Sequence, residues 1–166
     1  MGDACFVILF DRSEDIFMRA VVQRVARAAV VADGIECGAI ESGLCIFLGI
    51  GKDDGEPDVE WLAGKIEKLR VFSDAAGKMN LDVKQINGSL LIVSQFTLYG
   101  DCRKGTRPSY DPAMPADEAL RLYDCFIERC SRTGIPVAAG VFQAAMSVTI
   151  VNDGPVTLLL DSKKAF

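Results

Sequence analysis

The strongest constraint on the fold is the unbroken apolar run Leu-Leu-Ile-Val at residues 90–93, which turns polar at Ser94. An apolar run without alternation is typical of a strand that is covered on both faces. Such strands occupy the centre of sheets that carry helices, so the run predicts an α/β domain. The polar residues that follow are expected at the rim of the sheet, where α/β folds usually bind ligands.

Short segments rich in β-branched residues predict the other strands. They lie within residues 18–50 and, near the end of the chain, in "VAAGVFQ", "AMSVTIVN" and "PVTLLLD". Asp33-Gly34 predicts a hairpin turn. A chain of 166 residues is long enough for one core and short for two. We therefore expect a single domain at 18–166, with Met18 as a second plausible beginning and residues 1–17 as an amino-terminal extension.

Two amphipathic helices are predicted between the strands. The first follows Pro57, and its apolar stripe comprises Val59, Leu62, Ile66 and Leu69. The second begins at Pro115 and ends by Gly134, and its predicted inward residues are Leu120, Tyr123, Phe126 (or Ile127) and Cys130. Each helix has one apolar stripe, which is expected to pack against the core.

Composition excludes several kinds of chemistry. The chain contains no histidine, which removes the commonest general base, the usual triad partner and the commonest metal ligand. None of its six cysteines forms a CxxC pair, so we expect free thiols in a reducing cytoplasm, no metal site and no cofactor. Residues 1–25 lack the basic start and longer apolar centre of a signal peptide and the roughly 20 apolar residues of a membrane helix, so we expect neither there. A net charge of −5 disfavours broad nucleic-acid binding.

Three polar segments are candidates for function. "SQFTL" at 94–98 is either a polar sheet edge or the rim of a ligand site that exposes hydroxyls, an amide and main-chain N–H groups. "RKGTR" at 103–107 is either a solvated loop or a phosphate contact. The Gly-rich loop around Lys52 lacks the GxxxxGK[ST] spacing of a nucleotide-binding loop.

Gly154-Pro155 lies within the apolar stretch "VNDGPVTLLLD" at 151–161. Glycine has no Cβ and proline has no N–H, so a turn at this dipeptide would present main-chain carbonyl oxygens to a partner. The residues alone predict a turn before a strand.

Six segments of the chain resemble a known family. "SQFTLYGD" at 94–101 and "NDGPVTLLLDS" at 152–162 are similar to the two signature motifs of the D-aminoacyl-tRNA deacylases, the chiral proofreading enzymes of translation. "MRAVVQRV", "FSDAAGKMN", "GTRPSYDPA" and "FQAAMSV" resemble the same family in the same order. The resemblance covers residues 18–166. Residues 1–17 lie outside it, and Gln143 stands where the family leads us to expect Gly or Ala.

The resemblance implies a fold and an activity. The fold is a three-layer α/β one, with mixed β-sheets that form a barrel-like core and two main helices. The activity is hydrolysis of the ester bond of D-aminoacyl-tRNA, and of mischarged glycyl-tRNA, by a cytoplasmic homodimer without a cofactor. The Gly154-Pro155 bond is implied to be cis and to enter the partner's pocket, where it accepts the substrate's α-amino group and excludes L side chains.

The resemblance also implies roles for individual residues. Ser94, Gln95, Phe96 and Thr97 would line the catalytic pocket, and main-chain N–H groups near Phe96 and Thr97 would hold the ester carbonyl as charge develops. On the substrate-binding side, Met146 would pack near the pocket and Arg24 would brace the incoming Gly154-Pro155 segment. The 2′-hydroxyl of the terminal ribose is expected to help activate or orient water.

Two alternatives stay open. One is a non-catalytic nucleic-acid-binding dimer, in which "RKGTR" grips the backbone. The other is a conventional hydrolase with Thr97 as its nucleophile, although a hydroxyl without an activating base attacks poorly at neutral pH.

Overall fold

The structure is a computed structural model that describes residues 17–164. The predicted extension lies outside the described residues except for Phe17. In chain order the elements are β1 (Arg19–Ala32), β2 (Ile35–Ile40), β3 (Gly43–Gly49), α1 (Glu56–Glu67), β4 (Phe72–Ser73), β5 (Met79–Leu81), β6 (Ser89–Ser94), a 3₁₀ turn (Phe96–Tyr99), α2 (Ala116–Ser131), β7 (Val137–Ala139) and β8 (Met146–Asp161).

One mixed sheet organises the molecule. Its strand order is β2-β1-β3-β6-β7. Strand β1 pairs with β2 and β3 at successive positions along one edge, and with β8 along its opposite edge. The β3, β6 and β7 strands are parallel, whereas β1 is antiparallel to each of its partners. The sheet curls until β2 approaches β7, so that a Cβ at Gly38 would lie 3.0 Å from the Ala139 carbonyl oxygen. The expected α/β fold with a barrel-like sheet and two helices is confirmed.

The central strand explains the unbroken apolar run. Leu90 and Ile92 belong to the apolar cluster that α1 and α2 cover, whereas Leu91 and Val93 belong to a second cluster inside the curled sheet. All four side chains are at most 1% exposed. Both faces of β6 are therefore buried, as the sequence predicted, and its carboxyl end delivers Ser94 to the edge of the sheet.

Helix α1 buries Val59, Leu62 and Ile66 as predicted, and Leu69 lies half-buried beyond its end. Helix α2 buries Tyr123, Phe126 and Cys130, but the prediction for Leu120 is wrong because this side chain is 40% exposed. The buried stripe runs instead through Ala119 and Leu122. Leu120 lies about 100° round the helix from Ala119 and faces solvent.

The last two predicted strands and the turn between them form one strand, so the prediction of a separate turn is wrong. Strand β8 runs through Gly154 and Pro155, and β1 is the strand that it pairs with. Pairing is interrupted between Asn152, opposite Val25, and Thr157, opposite Gln23. Residues 153–156 thus bulge opposite Arg24, and a bulge on such a strand tolerates a proline that lacks the N–H. The Gly154–Pro155 peptide bond is cis, and Gly154 has φ +124°.

Strand β7 is shorter than predicted. It ends at Ala139, and the chain then turns through 140–145 before β8 begins. The Asp33-Gly34 turn is confirmed, with φ +50° and +78°. Across residues 17–164 no helix is long and apolar enough to cross a membrane.

Candidate active site

A cavity of about 600 Å³ opens at the carboxyl end of β6. It is bounded by the start of the 3₁₀ turn, the amino-terminal end of α2 and the turn between β7 and β8. Its lining residues are Val93, Ser94, Gln95, Phe96, Met114, Ala116, Ala119, Phe142, Gln143, Ala144, Met146 and Val148. The structure therefore brings together Ser94, Gln95, Phe96 and Met146, which the sequence singled out from two distant segments.

The 3₁₀ turn fixes the polar side of the cavity. The Gln95 N–H donates to the Leu48 carbonyl oxygen at 2.7 Å, which ties the turn to β3. The Gln95 side-chain amide donates to the Thr97 hydroxyl, and Thr97 itself lies outside the lining. The N–H groups of Phe96 and Thr97 open the turn, and the first amides of a helical turn have no partner within it.

None of the residues that line the cavity has an ionisable side chain. They contribute one hydroxyl, two carboxamides, thioethers and apolar groups. The cavity can therefore bind and orient a ligand and can donate hydrogen bonds to it. A side chain that could exchange a proton near neutral pH is missing from its lining, in a chain that contains no histidine.

Sequence reasoning missed Met114 and Phe142 in the lining and assigned no role to Gln143. Phe142 packs against Tyr123 of α2 with ring centroids 5.4 Å apart. Gln143 has φ +63°, a conformation that favours glycine. This backbone geometry accounts for a glycine at this position but not for an alanine. Phe142 could have been predicted from its place in the segment "FQAAM", which also contains Met146. No feature of the sequence pattern indicated Met114.

Polar groups that are buried or half-buried contact the 3₁₀ turn, and the sequence did not predict them. The Arg19 guanidinium donates to the Leu98 carbonyl oxygen at 3.3 Å, lies 5.0 Å from the centroid of the Tyr99 ring and pairs with buried Asp161 at 3.6 Å. The Tyr99 hydroxyl lies 3.2 Å from the Gly49 carbonyl oxygen. Burial raises the pKa of Tyr99, so this hydroxyl stays protonated.

Asp54 has a buried carboxyl group, which is unusual for an aspartate. The residue is 8% exposed and accepts a 2.6 Å hydrogen bond from the Gly51 N–H. Burial raises the pKa of Asp54 to about 7, and neighbouring Asp58 acts in the same direction. The Gly51 hydrogen bond and Lys163 act in the opposite direction.

The raised pKa of Asp54 predicts that stability falls as the pH rises from about 4 to about 7. In this window the native state retains a proton that the unfolded state has lost. Asp54→Asn should remove up to about 4 kcal/mol of this pH dependence. Urea unfolding from pH 4 to 8 measures it, with exposed Asp53→Asn as the control. Parallel curves for wild type and Asp54→Asn would show that Asp54 does not titrate as described.

Gly154 and Pro155 lie outside the lining of the cavity and are exposed. Arg24 is 8% exposed and holds the base of the bulge. Its Nε lies 3.0 Å from the Asp153 carbonyl oxygen and 3.1 Å from Oδ2 of the same residue. Its Nη1 donates to the Val71 carbonyl oxygen. These contacts of Arg24 are therefore within its own chain, with the bulge and with Val71.

The model of the D-Tyr-tRNA(Tyr) deacylase family matches residues 21–161. The chain belongs to this family. Curated relatives in the family are similar over almost their whole length. A D-aminoacyl-tRNA deacylase from Syntrophobacter fumaroxidans is 56% identical over 90% of this chain and 100% of the relative. One from Thermotoga petrophila is 57% identical with the same coverage. Family membership makes the chain a hydrolase that acts on ester bonds.

Two solved structures share the fold of this chain. One named "c-Myc DNA Unwinding Element Binding Protein" has a TM-score of 0.81 and 42% identity, over 86% of this chain and 97% of the other. A probable eukaryotic D-amino acid tRNA deacylase has a TM-score of 0.76 over 87% and 99% of the two chains. At 14% identity the second likeness shows the fold alone.

The acidic and thiol side chains offer no metal centre in the part of the chain that the structure describes. Within residues 17–164, no group of three or more Cys, Asp or Glu side chains is arranged to hold a metal ion. The five cysteines in this range are free thiols. Burial raises the pKa of Cys45 and Cys130 to about 12, which keeps both as neutral thiols.

Proposed function

We propose that this chain hydrolyses the ester bond of D-aminoacyl-tRNA in the cytoplasm and releases the free D-amino acid and the tRNA. Mischarged glycyl-tRNA is a second substrate, since glycine has no side chain to exclude. Family membership and the cavity at the end of β6 support this proposal. The aminoacyl group and the terminal adenosine occupy the cavity, with Ser94, Gln95 and Phe96 on one side and Met146 on the other.

The observation that carries the mechanism is the absence of an ionisable side chain from the cavity lining. The substrate then supplies the group that assists the water molecule. The 2′-hydroxyl of the terminal ribose orients a water molecule, whose oxygen adds to the ester carbonyl carbon. The bond between this carbon and the ribose 3′-oxygen breaks, and the water proton passes to the 3′-oxygen. The Phe96 and Thr97 N–H groups stabilise the charge on the carbonyl oxygen.

Selection against L-aminoacyl esters comes from the Gly154–Pro155 segment of a second copy in a homodimer. Three features support this part of the proposal. The segment is exposed, Arg24 anchors its base, and Gly154 presents main chain without a side chain. Carbonyl oxygens of the segment accept the α-amino group of the D substrate. An L side chain would meet the same main chain, and steric exclusion discriminates more strongly than one added contact.

Two other candidate functions have specific features that bear on them. The 42% identical structure bears the name of a DNA-binding protein, which favours a non-catalytic nucleic-acid-binding dimer as the second candidate. The net charge of −5 weighs against nucleic-acid binding as the sole function. A hydrolase with Thr97 as nucleophile is the third candidate, although no ionisable side chain lines the cavity to activate its hydroxyl.

Deacylation of D-tyrosyl-tRNA and L-tyrosyl-tRNA tests the proposal. We expect D-tyrosyl-tRNA to be cleared at least about a hundredfold faster, a ratio within the range that steric and polar exclusion achieve. Release of labelled tyrosine measures both rates, and the uncatalysed hydrolysis of each ester is the blank. A pure binding protein would leave both esters at the blank rate, and equal clearance of the two would contradict the chiral selection.

A further inference from the structure

The loop that follows the 3₁₀ turn is pinned at its base and exposed at its tip. The Asp101 N–H donates to the Ser109 carbonyl oxygen at 2.8 Å, and the Ser109 N–H donates back to the Asp101 carbonyl oxygen at 3.0 Å. Residues 102–107 between them are exposed. We call residues 102–108 the basic loop. Because both ends of the loop are fixed, its side chains project from a defined place beside the cavity.

The basic loop concentrates positive charge on an acidic protein. Arg103, Lys104 and Arg107 follow one another closely, in a chain whose net charge is −5. Arg103 pairs with Asp101 at 2.8 Å. Lys104 and Arg107 form no salt bridge with any residue in the described range, 17–164. Two cations on a pinned loop are therefore available to an anionic partner.

An aromatic pair connects the basic loop to the cavity. Phe96 lines the cavity and is 57% exposed, and Tyr110 lies just beyond the loop and is 37% exposed. Their ring centroids are 5.1 Å apart with an interplanar angle of 69°. Exposed aromatic rings next to cations are the combination that binds single-stranded nucleic acid, because bases stack on the rings and phosphates meet the charges.

We propose that Lys104, Arg107 and Tyr110 form a binding surface for the single-stranded 3′ end of the tRNA, one or two nucleotides before the terminal adenosine. This inference rests on the proposed function, which puts the terminal adenosine in the cavity. Lys104 and Arg107 contact the phosphates, and one base stacks on Tyr110. Single-stranded RNA is favoured over a duplex because the exposed rings lie at the cavity rim, within reach of unpaired bases.

Two esters that differ only in this segment test the surface. D-tyrosyl-adenosine occupies only the cavity. The D-tyrosyl ester of the trinucleotide CCA also carries the two preceding nucleotides, which would reach the basic loop. We expect Lys104→Gln/Arg107→Gln to lower the ratio of kcat/KM for the trinucleotide to that for the adenosine ester by roughly tenfold or more. Tyr110→Leu should lower the same ratio about tenfold by removing the stacked base. Lys65→Gln/Lys68→Gln, at the end of α1, makes the same charge change elsewhere and should leave the ratio unchanged.

Binding of an unacylated CCA-ended oligonucleotide gives a readout that does not depend on hydrolysis. The logarithm of its affinity falls with the logarithm of the salt concentration, and the slope should decrease by about 1.4 in Lys104→Gln/Arg107→Gln, since each phosphate contact contributes about 0.7 for single strands. If wild type hydrolyses D-tyrosyl-adenosine but Lys104→Gln/Arg107→Gln leaves both the salt slope and the kcat/KM ratio unchanged, the proposed binding surface is wrong. A loss confined to full-length tRNA would overturn the single-stranded assignment. Failure of wild type to hydrolyse either ester contradicts the proposed function instead.

Discussion

Gly154→Ala is expected to lower kcat/KM for D-tyrosyl-tRNA by about a hundredfold or more and to reduce the D/L ratio. A Cβ at this position would lie 2.9 Å from Arg24 Nη2 and 2.9 Å from Val156 Cγ2. The φ of +124° is a conformation that residues with a Cβ rarely adopt. Arg24 cannot yield freely, because the Asp153 and Val71 carbonyl oxygens hold it. The bulge must therefore shift, and a displacement of about 1 Å in a positioning group can cost a hundredfold.

Gly77→Ala is the matched control. Gly77 also has a positive φ, +75°, but no atom lies within 4 Å of its added Cβ. It lies in the turn between β4 and β5. The control should lose some stability and keep its activity and D/L ratio. Initial deacylation rates on both esters, with thermal melting of each variant, make the comparison. An unchanged D/L ratio in Gly154→Ala would remove Gly154 from chiral selection.

Removal of the terminal 2′-hydroxyl should slow hydrolysis far more than removal of the Thr97 hydroxyl. A tRNA that ends in 2′-deoxyadenosine is expected to lose about 10²–10⁴-fold in kcat, the range of one lost acid–base group. Thr97→Val keeps the shape of the side chain and loses the hydrogen bond from the Gln95 amide. We expect it to cost less than about tenfold, because Gln95 stays tied to β3 through its N–H.

Single-turnover rates separate these two effects from binding. Wild type and Thr97→Val are each measured on the ribose- and deoxyribose-terminated substrates. If Thr97 were the nucleophile, Thr97→Val would abolish hydrolysis of both substrates. Full activity of wild type on the deoxyribose-terminated tRNA would instead exclude assistance by the 2′-hydroxyl.

Much of the fold was predictable because local pattern and burial agree. The run at 90–93 is apolar since its alternate side chains enter two different clusters, and the spacing of Val59, Leu62 and Ile66 marks the buried face of α1. Leu120 shows the limit of this reasoning. A leucine beside the stripe satisfies the same spacing rules, and packing against the sheet decides which side of α2 is covered.

The site was predictable only in part. The motif at 94–101 led to one side of the cavity, but it does not specify which turn closes the other side, and no residue of the motif at 152–162 lines the cavity. Phe142 and Met114 reach the cavity through the turn after β7 and the segment before α2, which no local periodicity describes. Gly154-Pro155 suggested a turn, whereas pairing with β1 on both sides of the dipeptide keeps the segment in strand β8. Asp54 gave no signal, because in sequence it is one acidic residue of a polar turn.

The most direct test of the central claim is a crystal structure of the protein with a non-hydrolysable amide analogue of D-tyrosyl-adenosine. We predict a dimer in which a main-chain carbonyl oxygen of Gly154 or Pro155 from one subunit lies about 3 Å from the α-amino nitrogen of the ligand in the other. The ligand would contact Ser94, Gln95 and Phe96. A ligand bound in this cavity without any main chain from a second subunit beside its α-carbon would contradict this mechanism of chiral selection.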